Sequence, residues 1–527
     1  MSKKRQATKW LSRFLGFFKI FFKNKQGATG VIIIIGFIFM ALGAPLLSDK
    51  DPIRDEGLSG RIAAPLWLKY LPTYLGGDPS LSENIYAINS AFDDGIEGWN
   101  WTSANNTSVK WNQAFGVQNG SLQVQFRRNE TGEPYDSSKL TLYYNFTFPY
   151  GTAPQAFTIV THLLVNGTTQ IVTKQIGIVY NYSVTREELF IMPSIKLFLQ
   201  RHSDGAKWMI WPLAASTNYT KDGKFFDATS GWLKVVISSI NSDLRIIAFH
   251  DVLDAAEEAF ENVPGDYTYG VEITFSDENA TRPAETSVYV DQVVFYGSGK
   301  AYGLMGTESH GRDLFSQLVY GSRVSLYVGL LSAVISVVIG LMVGLAAGFL
   351  GKAVDEVLMR FTDLLLVIPF LPLLLVLVAI FGPTMQNLVI IIGVLGWMGF
   401  ARVVRAQVLS LRERSFVEAA KAIGAGRTHI MVRHIMPNVM SLVYVTLASS
   451  VPGAITAEAA LSFLGFYDPT RVSWGRMLNE AQFIGGGALN WWWVVFPGMC
   501  IALLAMSFIL LGFALDEILN PKLRLRR

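Results

Sequence analysis

The sequence predicts a multi-span α-helical membrane protein of six transmembrane helices, with an all-β, sandwich or jelly-roll-like domain inserted after the first helix. Three observations lead there. Of 527 residues, 51% are hydrophobic and 16% charged, and the mean hydropathy is +0.33, too apolar for a soluble chain and too polar for membrane spans alone. Apolar, nearly uncharged runs gather near the N-terminus and in the C-terminal half. The long stretch between them alternates β-branched and aromatic runs with Gly, Asn and Asp turns.

The first 26 residues hold eight basic and no acidic side chains, with Trp10, Phe14, Phe17, Phe18 and Phe21 interleaved, which suits an interfacial helix. Residues 27–47 form an uncharged run close to the ~20 residues that cross ~30 Å of hydrocarbon. A signal peptide competes with a retained anchor here, and the lack of a clear small-residue cleavage site favours the anchor. Five further spans are expected near 324–350, 361–381, 388–400, 440–455 and 493–515. Charge sets the orientation. The loop 402–438 carries seven Lys or Arg against two acidic residues, whereas the connection 382–387 carries no charge, so the loop and both termini are expected in the cytoplasm. The domains are then 1–48 (interfacial helix and first span), 49–303 (extracellular β-sandwich) and 304–527 (five-helix core).

An independent feature places 49–303 outside. Ten N-x-S/T sequons, at Asn100, Asn105, Asn106, Asn119, Asn129, Asn145, Asn166, Asn181, Asn218 and Asn279, all fall in it, although such sequons also arise by chance in Asn- and Thr-rich sequence. If they are glycosylated, an archaeal host is the simplest source. Strands are expected at 122–126, 139–148, 157–165, 171–179, 195–200, 232–240, 269–275 and 288–296. The strings FDDGIEGW at 92–99 and VYVDQVVFY at 288–296 resemble the two ends of jelly-roll carbohydrate-binding modules. Trp99, Trp101, Trp111, Trp208 and Trp211 are candidates for stacking on sugar rings, against the commoner role of tryptophan in a sandwich core. A docking surface or lid for a solute-binding protein is the alternative. Asp93, Asp94 and Asp291 can supply oxygen ligands to calcium, but Asp in turns usually caps the backbone, and no metal is assigned.

Residues 415–438 form a polar, basic helical pair between two apolar spans. Ser415 with Glu418 three residues on reads as a capping box, Ala419, Ala420 and Ala422 favour helix, and Gly424 permits a left-handed exit. A second helix from about Arg427 is expected to stop near Pro437, which has no amide hydrogen.

The spacing of Glu418, Ala419, Ala420 and Gly424, followed after nine intervening residues by His434, Ile435, Met436 and Pro437, resembles the EAA loop of ABC importer permeases. RHIMPN at 433–438 is similar to the RHILPN of dipeptide and oligopeptide permeases, with one Met for Leu exchange. GTESHGRD at 306–313, EAALSFLG at 458–465, Ser473-Trp474-Gly475 and DEILNPKL at 516–523 resemble further stretches of the C-type subunit of the peptide/nickel class. The resemblance covers 303–527 strongly and 1–48 weakly, and leaves 49–300 to be read by itself. It implies an ABC type I importer permease fold, with this chain forming half of a translocation pathway for peptides. It further implies two cytoplasmic ATPase subunits that bind ATP and magnesium, a paralogous B-type permease and an extracellular solute-binding protein. Ser415–Gly424 would be the coupling helix, with Glu418 at its cap, Ala419 and Ala420 allowing close approach and Gly424 setting the corner. An oligosaccharide importer of the same family, or a membrane-anchored carbohydrate-binding protein, are the alternatives.

Several function classes are disfavoured by residue type. No G-x-x-x-x-G-K-[S/T] occurs, so ATP hydrolysis is assigned to another chain, and the protein is expected to be no enzyme and to hold no cofactor. The formal charge of +3 and the placement of basic residues beside spans argue against nucleic acid. The single cysteine, Cys500, lies in the last span and permits no intrachain disulfide. Glu458 is expected near the outer end of the fifth span, in contact with water or a polar pathway. Trp491, Trp492 and Trp493 read as an interfacial belt, and Pro369, Pro372, Pro452 and Gly453 as kinks or packing irregularities.

Overall fold

The computed structural model describes residues 24–519 except 93–94, 103, 114–115, 118–119, 129–135, 166–169, 174–177, 182–192, 212–231, 241–243, 250–251, 253, 262, 278–283 and 485–489. The chain divides into two compact units, 1–56 with 312–527, and 57–311. The expected interfacial helix, and the sequons at Asn119, Asn129, Asn166, Asn218 and Asn279, lie outside the described residues.

The first unit is helical. Helix α1 is Lys25–Leu42, capped by the Asn24 side chain. α2, Leu314–Leu350, begins where Asp313 accepts hydrogen bonds from the amides of Phe315 and Ser316. Its 37 residues span ~55 Å, well beyond the ~30 Å of bilayer hydrocarbon. α3 (Lys352–Val367) and α4 (Phe370–Phe381) meet at 90°, so the single span expected over 361–381 is a broken pair. The cause is Pro369, which lacks an amide hydrogen and drives the preceding Ile368 to φ −73°, ψ 128°. α5 (Met385–Leu395) and α6 (Met398–Arg412) follow one another across Gly396–Trp397 and run well past the expected end at Phe400. The short helix α7 is Ser415–Ala422, α8 runs from Arg427 to Phe463, α9 is Trp474–Phe483 and α10 is Trp491–Leu519.

α2 holds the unit together through small residues. Ser332, Ser336, Gly340, Gly344 and Gly348 recur every fourth position and so share one ridge. A Cβ on Gly340 would stand 2.9 Å from the Trp397 carbonyl, on Gly344 2.6 Å from the Ala401 carbonyl, and on Gly348 2.8 Å from Val408 Cβ. Only glycine permits the backbones to lie this close, and in a bilayer such packing replaces the missing hydrophobic drive between helices. On the other side Trp474 donates its indole N–H to the Leu318 carbonyl at 2.8 Å and packs edge-on against Phe37.

The second unit is a β-sandwich. Strands β1 (Ile85–Ser90), β2 (Trp99–Trp101), β3 (Thr107–Asn112), β4 (Ser121–Arg128), β5 (Asp136–Phe148), β6 (Ala156–Val165), β7 (Gln170–Thr173), β8 (Ile178–Asn181), β9 (Ser194–Arg201), β10 (Lys207–Trp211), β11 (Leu233–Ser238), β12 (Gly265–Asp277) and β13 (Ala284–Ser298) are described. One sheet has the order β11-β6-β13-β4-β3, with β1 also on β13; the other is β10-β9-β12-β5-β2; β7 and β8 pair alone. All pairings are antiparallel, and alternate residues such as Leu122, Val124 and Phe126, or Tyr267, Tyr269, Val271 and Ile273, fill the core between the sheets. Trp99 and Trp208 belong to that core, Trp99 donating to Ser90 Oγ at 3.0 Å and Trp208 stacking on Phe249. Trp101 and Trp111 are exposed.

Replacing Gly344 by Leu should break the α2–α6 contact, costing at least 1–3 kcal/mol, about what overpacking a well-packed interior costs. Replacing Gly498 by Ala, where a Cβ meets nothing within 4 Å, should not. Thermal denaturation of the detergent-purified chain checks both; equal Tm values for the two variants would contradict the packing described.

Candidate functional site

Two places in the helical unit combine unusual geometry with accessible polar groups: the elbow around 415–438 and a cavity where helices break. α6 ends at Arg412, and after two residues the chain resumes as α7. The expected capping box does not form. Arg414 takes the cap position and its carbonyl accepts from the amides of Val417 and Glu418 at 2.9 and 3.2 Å, so Ser415 is already helical and its hydroxyl caps nothing. Glu418 is exposed in the first turn, where its charge suits the positive end of the helix dipole, and its carboxylate makes no hydrogen bond or ion pair among the described residues.

The corner forms where expected. Gly424 has φ +82°, its amide reaches the Lys421 carbonyl, and the Ala425 amide reaches the Ala420 carbonyl, both at 3.0 Å, which completes a Schellman ending. Pro437 does not stop the second helix. Residues Met431–Ile435 widen into a π turn whose last bond runs from the Met436 amide to the Met431 carbonyl, and this slack admits the proline ring within one continuous run to Phe463. Asn438 Nδ2 donates to the His434 carbonyl at 2.6 Å.

α7 has two distinct faces. Val417 and Ala420 (5% exposed) join one apolar cluster with Leu411, Ile430, Ile435 and Val439 and, further in, with Val404, Val408, Leu345 and Phe349. Ala420 therefore packs on its own chain, and the close approach expected of both alanines is left to Ala419. Phe416, Ala419 and Ile423 (86% exposed) face outward at helical spacing. A second tie starts on α6, where Arg405 grips Asp355 of α3 with two bonds of 2.5 and 2.6 Å and Arg402 pairs with Asp363. α7 is thus joined to α2 through packing, and α6 to α3 through charge.

α3 ends at the cavity. About 500 Å³ of space is lined by Leu365–Phe370 at the α3–α4 break, Gly396, Met398 and Gly399 at the α5–α6 break, Ser332 and Ser336 at the midpoint of α2, and Ser450, Gly453 and Ala454 of α8. Pro369 and Gly453, read from the sequence as interruptions, both border it; Pro452 is buried in α8 beside it.

Glu458 is elsewhere. It is 1% exposed, accepts from Ser462 Oγ at 2.7 Å and does not line the cavity, so the expected contact with water is corrected: it faces the packed side of α8. The tryptophan triplet also departs from a belt, because successive helical residues point ~100° apart: Trp491 is exposed while Trp492 and Trp493 are buried. In the β unit, Asn100, Asn105, Asn106 and Asn145 are exposed, and Asn181 ends β8. Asp291 Oδ2 and Oδ1 accept from the amides of Val117 and Gln292, both at 2.6 Å, a backbone-capping role. Sequence reading missed the cavity and the Arg405–Asp355 clamp; the four-residue recurrence of small residues along α2 signals only the close approach of α2 and α6.

The family model for the inner membrane component of binding-protein-dependent transport systems matches residues 336–525, which include the elbow and nearly all of the cavity lining. The dipeptide transport system permease protein of Bacillus subtilis is 37% identical over 222 residues, 42% of this chain and 68% of that protein. The oligopeptide transport system permease protein of Haemophilus influenzae is 39% identical over 226 residues, 42% of this chain and 71% of that one. The chain belongs to this permease family. Among solved structures, an inward-facing methionine ABC transporter covers 39% of the chain and 95% of its own at 21% identity, with a TM-score of 0.32. As a permease of this class the protein is a multi-pass membrane component, and its all-β unit is an insertion into the helical permease fold.

Reversing one charge of the clamp, Arg405→Asp or Asp355→Arg, should destabilise the permease by about 1 kcal/mol or more, the scale of an ion pair that is not fully buried. The double reversal should recover most of the loss. A double-mutant cycle on thermal unfolding tests this, and additive losses would show that the two residues do not act on each other.

Proposed function

We propose that the protein is the C-type permease subunit of an ATP-driven peptide importer, forming half of the translocation pathway with a paralogous B-type permease. Peptide as cargo is supported by the dipeptide and oligopeptide permeases among its relatives. ATP and magnesium are bound by two cytoplasmic ATPase subunits, and an extracellular solute-binding protein delivers the cargo. Both termini lie in the cytoplasm and residues 49–303 outside, a reading supported by the seven basic residues of 402–438. The exposed sequon asparagines Asn100, Asn105, Asn106 and Asn145 are then open to a surface glycosylation system.

One observation carries the coupling role: α7 presents Phe416, Ala419 and Ile423 to a partner while its other face is fused into the core of α6, α8 and α2. A helix exposed on one side and fixed on the other transmits force. Seated in a cleft of an ATPase, it moves as that subunit closes on ATP, with Gly424 holding the angle between α7 and α8 and Glu418 free to meet a basic side chain. The apolar cluster and the Arg405–Asp355 clamp carry this motion to the helix break beside the cavity.

Gly424→Val should uncouple ATP hydrolysis from transport, because a β-branched residue at φ +82° costs about 1–2 kcal/mol, whereas Gly424→Asn should be tolerated. Space is not limiting, since a Cβ there meets nothing within 4 Å, and the spans should still assemble. Peptide uptake per ATP hydrolysed, in proteoliposomes holding the complex purified from its own host, is the measurement. In a Cys500→Ala background, Ile423→Cys should cross-link to a nucleotide-hydrolysing chain identified by mass spectrometry. Capture of no such chain, or unchanged coupling in Gly424→Val, overturns the reading.

A further inference from the structure

The cavity has a lining that says what it can hold. Among the described residues, Ser332, Ser336 and Ser450 are its only polar side chains, no charged side chain borders it, and glycine lines it at three positions. Its remaining polarity comes from main chain. The last carbonyls of α3 have no following amides to pair with, because Ile368 turns away and Pro369 has no N–H, and the start of α4 brings free amides to the same break. These opposed helix ends place partial charges of both signs within one space. Ser336, only 5% exposed, lines the cavity and has no hydrogen-bond partner among the described residues. Its hydroxyl therefore opens onto the cavity with donor and acceptor capacity that a ligand group can take up. The volume of about 500 Å³ lies within the range of small-molecule sites.

We infer that this cavity is a transit site that holds the amide backbone of the cargo by hydroxyls and helix ends, and that it contributes no selection for side-chain charge. The inference rests on the peptide-import reading above. Amide groups offer both a donor and an acceptor, matching serine hydroxyls and the mixed polarity of the break. A charged side chain would find no counter-ion in the lining and is held out of the cavity by its desolvation cost, so it travels on the side away from α2. Selection among peptides then falls to the binding protein, and the permease stays permissive.

The test uses the whole complex in proteoliposomes with three tripeptides, one neutral, one carrying Lys and one carrying Asp. Ser336→Asp should raise the Lys-to-Asp uptake ratio at least tenfold over the unmodified complex, and Ser336→Ala should lower uptake of all three alike by a few-fold. In a Cys500→Ala background, Ser336→Cys should react with a small neutral thiol reagent, and saturating neutral tripeptide should slow that reaction at least fivefold. This last reading does not depend on a carboxylate being tolerated. An unchanged ratio in a transporting Ser336→Asp complex, or labelling of Ser336→Cys that peptide does not slow, overturns the transit site while leaving peptide import standing. Failure of the unmodified complex to take up any of the three peptides with ATP overturns both.

Discussion

Along α2, from Ser332 to Gly348, every fourth residue is serine or glycine, and this spacing governs how near the backbone of α6 can lie. The glycine end of the ridge lets Ala401, Val404 and Val408 pack against bare backbone, which locks α6, and with it the elbow that α6 leads into, to the 37-residue helix α2. The serine end stands where α5 and α6 are interrupted and α3 turns into α4, so the contact opens into a space with hydroxyls on its wall. Tight packing at one end and an opening at the other belong to one run of side-chain volumes. A helix with larger residues at the glycine positions would lose both the stiffness and the alignment of the breaks.

Much of the helical unit was legible in the sequence because membrane spans announce themselves by length and hydropathy, and because Gly424 has no substitute of equal ease at a left-handed corner. What escaped was decided by neighbours. Ser415 and Glu418 have the spacing of a capping box, yet the chain enters α7 one residue early because the Arg414 carbonyl is already placed to accept two amides. Pro437 is a sound stop signal in isolation, and a π turn over Met431–Ile435 overrides it. Glu458 reads as a group seeking water, but it is buried in a packed face where Ser462 on the next turn donates to one of its carboxylate oxygens. The cavity could not be read locally at all, since its walls come from four separate stretches of chain.

In the β unit the alternation of apolar residues identified the long strands, whereas β2, β3 and β10 are short and part-polar and carry no comparable pattern. Trp99 and Trp208 illustrate the usual fate of tryptophan in a sandwich: large apolar area is worth more between the sheets than on them.

The insertion leaves and re-enters its host at a single place. At its base the Gly57 and Leu58 amides bond to the His310 and Gly311 carbonyls, Ile62 to Glu308, and Ala64 bridges Ala301, so the outgoing and returning strands are zipped together. On the helical side the last residue before the excursion and the first after it, Glu56 and Arg312, are themselves joined by a 2.8 Å ion pair. Each side of the junction is thus closed by contacts within its own unit, so the ends of the β unit are held together by its own backbone and the ends of the helical unit by its own charge pair.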